Sequence, residues 1–196
     1  MFITRPCSVD GCRRSALTGR SVCAGHCEDV LEYEKTIIDA LCNRKCLIDY
    51  DISGISLADF TATGVEISGC NLSGIRLERV KLEKAAFQLV FFDSSHLTAC
   101  DFTGSSFQNS ILAGSEIRDS TFSGCDLLLC NLNGVRCKNV NFDHSNLYAS
   151  RFIGGRFEKV GMRDCNLTRA RFDREDSGID FRSSNTNEAD FLGAGL

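Results

Sequence analysis

Large apolar residues recur at every fifth position through most of this chain. Stepping by five from Leu47 to Phe172 meets a large apolar residue at every step except Ala62 and Cys137. A period of five fits neither the 3.6-residue period of a helix nor the simple alternation of a strand. Because a fixed short period is the signature of repeat architectures, the pattern predicts a solenoid.

A second restricted position lies two residues before each apolar one. Over the middle and late repeats it holds a small residue, as at Cys100, Ser105 and Ser145. Residues i and i−2 share one face of an extended segment, so each pair predicts a short segment with both side chains pointing inward. Glycines such as Gly54 and Gly134 follow at turn positions, where a positive φ is often needed. Four such sides close a square coil, and the coils stack at the strand spacing of about 4.8 Å.

Several of the five-residue units match a known family pattern. The stretches CNLSG, CNLNG, CDFTG and SNLYA follow A(D/N)LXX, and in this the chain resembles the pentapeptide-repeat family. The resemblance covers most of the chain and implies an all-β solenoid, a right-handed quadrilateral β-helix of pentapeptide repeats. We expect the β-helix to span residues 47–174, with a loop (REDSG) and a final coil over 175–196. A β-sandwich would instead require hairpin turn signals at longer spacing.

The segment before the repeats has the pattern of an amphipathic helix. Residues 28–45 read EDVLEYEKTIIDALCNRK, with acidic residues early and basic residues late, as the helix dipole favours. Because a stacked coil exposes unpaired edges and apolar core at its ends, we predict that residues 28–46 form a helix that caps the first coil. Its apolar stripe consists of Val30, Leu31, Tyr33, Ile37, Ile38 and Leu41.

Cysteine and histidine are concentrated near the N-terminus, in residues 1–27. Two close pairs, Cys7 with Cys12 and Cys23 with His26, have the spacing of a small zinc knuckle and predict a tetrahedral Zn²⁺ site. Four protein ligands leave no open position, so the predicted metal is structural. Cys27 is a further thiol that could replace His26. Free cysteines without metal, and a finger that reads nucleic acid or protein, remain as alternatives.

Composition narrows the classes of partner and the compartment. The formal net charge of −4 indicates neither a polybasic nucleic-acid binder nor a strongly acidic protein, so we do not expect nucleic-acid binding. The sequence contains no apolar run long enough to cross a bilayer and no signal-peptide pattern, so we expect no membrane association and a cytoplasmic location. The 12 cysteines then serve as reduced thiols and metal ligands rather than as a disulfide framework.

No catalytic residue is predicted. The chain has no phosphate-binding loop, dinucleotide fingerprint or nucleophile elbow, and His96 and His144 fall on outward positions without a catalytic constellation around them. A non-enzymatic scaffold for protein–protein interaction, with an unidentified protein partner, is the favoured function. The resemblance also implies an alternative, a DNA mimic that binds gyrase and confers quinolone resistance, although the late coils are basic here. A metal- or redox-responsive binding protein is a further alternative.

Six apolar residues on outward positions predict a contact surface. They lie in three columns that border the same corner of the coil, and exposed patches of this kind often mark binding sites. We predict that this surface binds a protein partner or a second copy of the chain, unless the REDSG loop or the tail covers it. The final coil, which ends in LGAGL, is a second candidate for homodimer contact. The six residues, named here the apolar strip, are Leu89, Phe91, Ile111, Leu128, Leu129 and Tyr148.

Overall fold

The computed structural model describes residues 4–173 and 178–191, and over them the repeats form the predicted all-β solenoid. Equivalent residues on successive coils are twenty positions apart and pair in parallel. Leu47 lies opposite Ile67, and Ile67 lies opposite Phe87. The period of five therefore sets both the inward face and the register between coils.

Regular strands are concentrated on two sides of the square coil. The strands are β1 Cys46–Ile48, β2 Ser56–Ala58, β3 Glu66–Ser68, β4 Arg76–Glu78, β5 Ala86–Gln88, β6 His96–Thr98, β7 Glu116–Arg118, β8 Arg136–Asn141, β9 Arg156–Gly161 and β10 Ile179–Asp180. A seven-stranded parallel sheet covers one side in the order β2, β4, β6, β7, β8, β9, β10, and a three-stranded sheet of β1, β3 and β5 covers another. Elsewhere the coils are joined by single parallel bridges, such as that between Asn71 and Phe91.

The final coil is one residue shorter than the others. Asn166 pairs with Asn185 and Arg171 with Asp190, nineteen positions apart. The hydrophobic pattern moves by one position at the same point of the chain. Within the predicted REDSG loop, residues 174–177 lie outside the described residues, as does the end of the predicted final coil from residue 192 onward.

The interior consists of stacked aromatic rings and small polar side chains. Phe87 stacks on Phe107 with ring centroids 4.4 Å apart, and both side chains are fully buried. Beside them, the hydroxyl of Ser105 accepts a hydrogen bond from the backbone N–H of Ala85 at 2.9 Å and donates one to the carbonyl of Leu82 at 2.8 Å. The small residues therefore join one coil to the next as well as leaving space for the chain.

The N-terminal cap is a helix that changes its hydrogen-bonding pattern before it ends. Helix α1 spans Val30–Asp39 and continues as a π-helix over Ala40–Arg44, and Cys46 already belongs to β1. The buried face of the cap joins the core of the solenoid. Leu31, which the predicted apolar stripe includes, is instead 71% exposed. In the described residues, the longest helical segment is too short and too polar to cross a membrane.

Candidate metal centre

Four potential metal ligands converge at the N-terminus. The ligand atoms of Cys7, Cys12, Cys23 and His26 all lie within 4.8 Å of one another. The Cys7 sulfur is 3.4 Å from His26 Nδ1, the Cys23 sulfur is 3.6 Å from the same nitrogen, and the Cys12 and Cys23 sulfurs are 3.9 Å apart. With Zn–S and Zn–N bonds of about 2.3 and 2.0 Å, a tetrahedral zinc ion needs ligand separations of roughly 3.5–3.8 Å. These three separations are close to that range.

A tight turn presents the first ligand pair. The N–H of Cys12 bonds to the carbonyl of Val9 at 3.1 Å, and Gly11 takes the positive φ of 72° that this turn requires. The N–H of Cys7 bonds to the carbonyl of Arg14 at 2.9 Å. These backbone bonds hold both sulfurs on the same side of the loop.

A short 3₁₀ helix, Ala24–His26, presents the second pair. The N–H of His26 bonds to the carbonyl of Cys23 at 3.0 Å, which turns the imidazole back toward the sulfurs. The backbone N–H of Cys23 also donates to the sulfur of Cys7 at 3.4 Å. Such N–H to sulfur bonds stabilise thiolates in metal sites by orienting and polarising the ligand.

The electrostatics of the cluster favour a bound cation. The hydrogen bond with His26 lowers the pKa of the Cys7 thiol to about 6, whereas burial raises the pKa of the Cys23 thiol above its usual range. Gathering several thiolates in one small space is unfavourable because like charges repel. A divalent cation at their centre removes that penalty and keeps the ligands deprotonated.

Cys27 lies outside this four-residue cluster. Its buried thiol donates a hydrogen bond to Oδ1 of Asp29 at 3.1 Å. Burial, and then the Asp29 carboxylate, raise the pKa of this thiol. His26, and not Cys27, therefore lies together with the three sulfurs.

The N-terminal segment is tied directly to the first coil of the solenoid. Thr18 makes two bonds with Asp51: its N–H donates to the carbonyl at 2.9 Å, and its hydroxyl accepts from the N–H at 2.7 Å. The hydroxyl of Tyr33 on α1 donates to the carbonyl of Thr18 at 3.1 Å. Leu17 is buried in the same core as the repeats. The four clustered side chains therefore belong to a segment that packs on the open end of the solenoid.

The residues of the apolar strip lie along one edge, with different degrees of burial. Phe91 and Ile111 pair across adjacent coils and are half-buried, as are Leu128 and Tyr148. Leu89 and Leu129 are 56% and 53% exposed. A polar contact was not foreseen: Arg169 donates to the hydroxyl of Tyr148 at 3.0 Å. Arg169 lies in the same twenty-residue column as Leu89 and Leu129. The repeat period could therefore have predicted that Arg169 lies near Tyr148.

Each outward histidine has a carboxylate neighbour on the next coil, which the sequence analysis did not expect. His96 lies 3.8 Å from Glu116, and His144 lies 3.8 Å from Asp164. All four side chains lie on the surface, and within the described residues no serine or cysteine is hydrogen-bonded to either histidine. The pairs lack the nucleophile that a catalytic arrangement of this kind requires.

A family model described as pentapeptide repeats matches residues 92–127 and 130–169, with eight copies. This match identifies those residues as pentapeptide repeats. The coils before residue 92 continue the same register in the structure, as in the pairing of Leu57 with Leu77. No curated protein sequence matches this pentapeptide-repeat chain significantly.

Several solved structures resemble the chain at low identity. A trypsin-treated variant of QnrB1, a plasmid-mediated fluoroquinolone resistance protein, has 17% identity and a TM-score of 0.36, covering 71% of this chain and 88% of that chain. HetL, involved in heterocyst differentiation regulation in the cyanobacterium Nostoc, has 13% identity, a TM-score of 0.31 and coverages of 74% and 84%. A protein of the Arabidopsis thaliana thylakoid lumen has 19% identity, a TM-score of 0.32 and coverages of 66% and 67%. Similarities of this size carry no functional information about this chain.

Proposed function

We propose that this protein is a non-enzymatic scaffold for protein–protein interaction, with a structural zinc ion in its N-terminal segment. The observation that carries the proposal is the apolar strip on one edge of a solenoid whose coils are joined throughout by backbone hydrogen bonds. An exposed apolar patch on an otherwise polar surface is typical of binding sites. A regular solenoid holds such residues at fixed spacing, which favours recognition with little loss of conformational entropy.

The absence of a catalytic arrangement in the described part of the chain supports a binding role. A depression of about 700 Å³ lies where the N-terminal segment meets the first coil, and Arg5, Thr18 and Asp49 contribute to its lining. Within it, the Thr18 hydroxyl is already engaged by the Asp51 backbone. An enzyme site usually combines a deeper cleft with converging nucleophilic or acid–base groups.

The zinc ion has a structural role in this proposal. Cys7, Cys12, Cys23 and His26 would fill all four positions of a tetrahedral ion, so no position is left for substrate or water. The segment they belong to has few buried apolar residues of its own, and metal binding then supplies part of its folding free energy. These ligands hold Leu17 and Thr18 against the first coil.

The test is partner capture with matched surface variants. The wild-type protein, a Phe91→Asp and Leu128→Asp double variant, and a Leu31→Asp control would be used as baits in native extract, followed by partner identification. We expect the double variant to lose partners that the wild type and the control retain. An unchanged partner list for a correctly folded double variant would contradict the proposal.

Two alternatives are separated by further measurements. A gyrase-binding DNA mimic requires a gyrase subunit among the captured partners and protection of gyrase from a quinolone in a supercoiling assay. A metal- or redox-responsive protein requires partner binding to change when zinc is removed or the thiols are oxidised. If zinc loss changes only thermal stability, the metal is structural.

A further inference from the structure

Two leucines occupy corner positions that are unfavourable for leucine in both backbone conformation and solvent exposure. Leu89 and Leu129 have φ values of 54° and 58°, in the left-handed region that branched side chains disfavour. All other described non-glycine residues with positive φ are polar, charged or alanine. Both leucines are more than half exposed, so burial within their own chain does not explain them.

The corner column that contains these leucines is nearly symmetric about Asn109. One coil away on either side is a leucine, and two coils away is a small residue, Gly69 or Ala149. Three coils away the side chains have opposite charges. Every member has a positive φ, so all seven project from the same edge in the same way. In order along the edge, the column consists of Asp49, Gly69, Leu89, Asn109, Leu129, Ala149 and Arg169.

We infer that a second copy of this chain packs antiparallel on this edge, around a two-fold axis that passes beside Asn109. This inference rests on the proposed function, since it names the partner of the apolar strip. The rotation reverses the order of coils and brings Leu89 of one protomer against Leu129 of its partner. Gly69, beside which the Asp49 carboxylate lies, then faces Ala149. Such an interface uses the same surface patch on both copies, as two-fold dimers require.

Each residue at the level of the two-fold axis contacts the same residue of the partner protomer, and the side chains there suit such contacts. The Asn109 amide has both donor and acceptor groups, so two copies can hydrogen-bond to each other across the axis. On one side of Asn109, Ile111 meets its own copy in an apolar contact. On the other side, the Gln108 amide meets its own copy in a polar contact. Leu128 and Tyr148 lie beside the leucine contacts and extend the apolar area.

Charge selects the antiparallel orientation over the parallel one. In the antiparallel dimer, Asp49 of one protomer approaches Arg169 of its partner. In a parallel dimer, like charges would face each other at both ends of the edge, which is unfavourable. Both residues also have contacts within their own chain, including Arg169 with Glu188 at 2.6 Å. Their contribution is therefore to orientation more than to affinity.

Assembly is tested first by analytical ultracentrifugation of the full chain over a range of concentrations. We expect a monomer–dimer equilibrium, and Leu89→Asp or Leu129→Asp should raise its dissociation constant by about tenfold or more. Leu31→Asp, which adds the same charge at an exposed site on α1, should leave it unchanged. Circular dichroism verifies the fold of each variant.

Orientation is tested by disulfide trapping in a Cys46→Ser background with oxidised glutathione as the oxidant. Asn109→Cys should yield a covalent dimer because this residue meets its own copy. Leu89→Cys should not, because its two copies lie two coils apart, at roughly 10 Å. The control Asn139→Cys has the same residue type and a left-handed backbone at another corner, and should remain monomeric.

The outcomes separate this inference from the proposed function. A protein that is monomeric at all concentrations, or in which Leu89→Cys and not Asn109→Cys is trapped, overturns the antiparallel dimer. If the Phe91→Asp and Leu128→Asp double variant still loses its captured partners in that case, the scaffold proposal stands and its partner is another protein. If neither assembly nor capture depends on the strip, both proposals are wrong.

Discussion

The hydroxyl of Ser105 accepts the backbone N–H of Ala85 from the neighbouring coil at 2.9 Å and is fully enclosed by the core. The same hydroxyl donates to the carbonyl of Leu82. One buried side chain therefore satisfies a donor and an acceptor that the turn leaves unpaired. A buried N–H or carbonyl without a partner costs stability, so these serines are more than small spacers.

Removal of this hydroxyl should destabilise the solenoid. We expect Ser105→Ala to lower the free energy of unfolding by about 1–3 kcal/mol, because the Ala85 N–H and Leu82 carbonyl lose their partner. Ser106→Ala, at the adjacent outward position, should change it by less than about 0.5 kcal/mol. Urea denaturation followed by circular dichroism measures both. Equal effects of the two substitutions would contradict the role of the buried hydroxyl.

Metal analysis should find about one zinc ion per chain, since the cluster offers a single tetrahedral ligand set. Cys12→Ser should lower the zinc content and loosen the N-terminal segment, while the β-rich circular dichroism signal persists because stability in a stacked fold is local. Cys46→Ser, at an exposed thiol outside the cluster, should keep its zinc. Absence of zinc from protein prepared without chelator would refute the site.

Acid should weaken the late coils through one buried carboxylate. Burial alone would raise the pKa of Asp143, but hydrogen bonds from the side chain and N–H of Arg163 outweigh it and lower the pKa. A carboxyl whose pKa is lowered on folding contributes stability above its unfolded pKa, and that stability is lost as pH falls through the folded value. Urea denaturation between neutral pH and pH ~3 should show this loss in the wild type.

The matched variants isolate that carboxylate. Asp143→Asn should be less stable at neutral pH and should show a flatter pH dependence below pH ~4, the unfolded pKa of an aspartate. Glu66→Gln removes an exposed carboxylate for which no ion pair is formed within the described residues, and should follow the wild-type curve. A pH dependence unchanged by Asp143→Asn would assign the acid sensitivity to other groups.

Leu89→Asn should affect stability and assembly in opposite directions. Asparagine tolerates the left-handed backbone that leucine disfavours, so the free energy of unfolding of the monomer should rise by about 0.5–1 kcal/mol. The same change removes an apolar contact from the antiparallel edge, so the dimer should weaken. Denaturation at low protein concentration and ultracentrifugation at high concentration measure the two effects. A substitution that lowers monomer stability would show that Leu89 serves its own chain.

The five-residue period predicted the core and the register because a single spacing sets both. Once Leu47 points inward, the next coil must place Ile67 beside it. The role of the serines at the small inward position was harder to predict. Side-chain size alone does not distinguish a serine that only leaves space from one that forms hydrogen bonds between coils. The contacts of Ser105 required three-dimensional structure because they join residues about twenty positions apart.

The candidate metal site was predictable in part. Spacing placed Cys7 and Cys23 in two ligand pairs, but adjacent His26 and Cys27 could not be separated, because the choice depends on which way one turn presents its side chains. In the fold, His26 faces the sulfurs and Cys27 faces Asp29. The exposure of Leu31 could not be predicted either, because the apolar pattern of a helix does not determine which residues at the edge of its apolar face are buried against the solenoid.

Because the register between coils is constant, the number of coils in this fold can change without disturbing the coils that remain. Excision of twenty consecutive residues from the middle would bring together two coils with the same shape, so the molecule could lose or duplicate a coil in one genetic event without a new core. The edge column would not survive as easily. Loss of the coil that carries Asn109 would set Leu89 directly beside Leu129 and move the centre of symmetry between coils. Selection on pairing with a second copy would therefore act on the number of coils, whereas selection on folding would leave that number free.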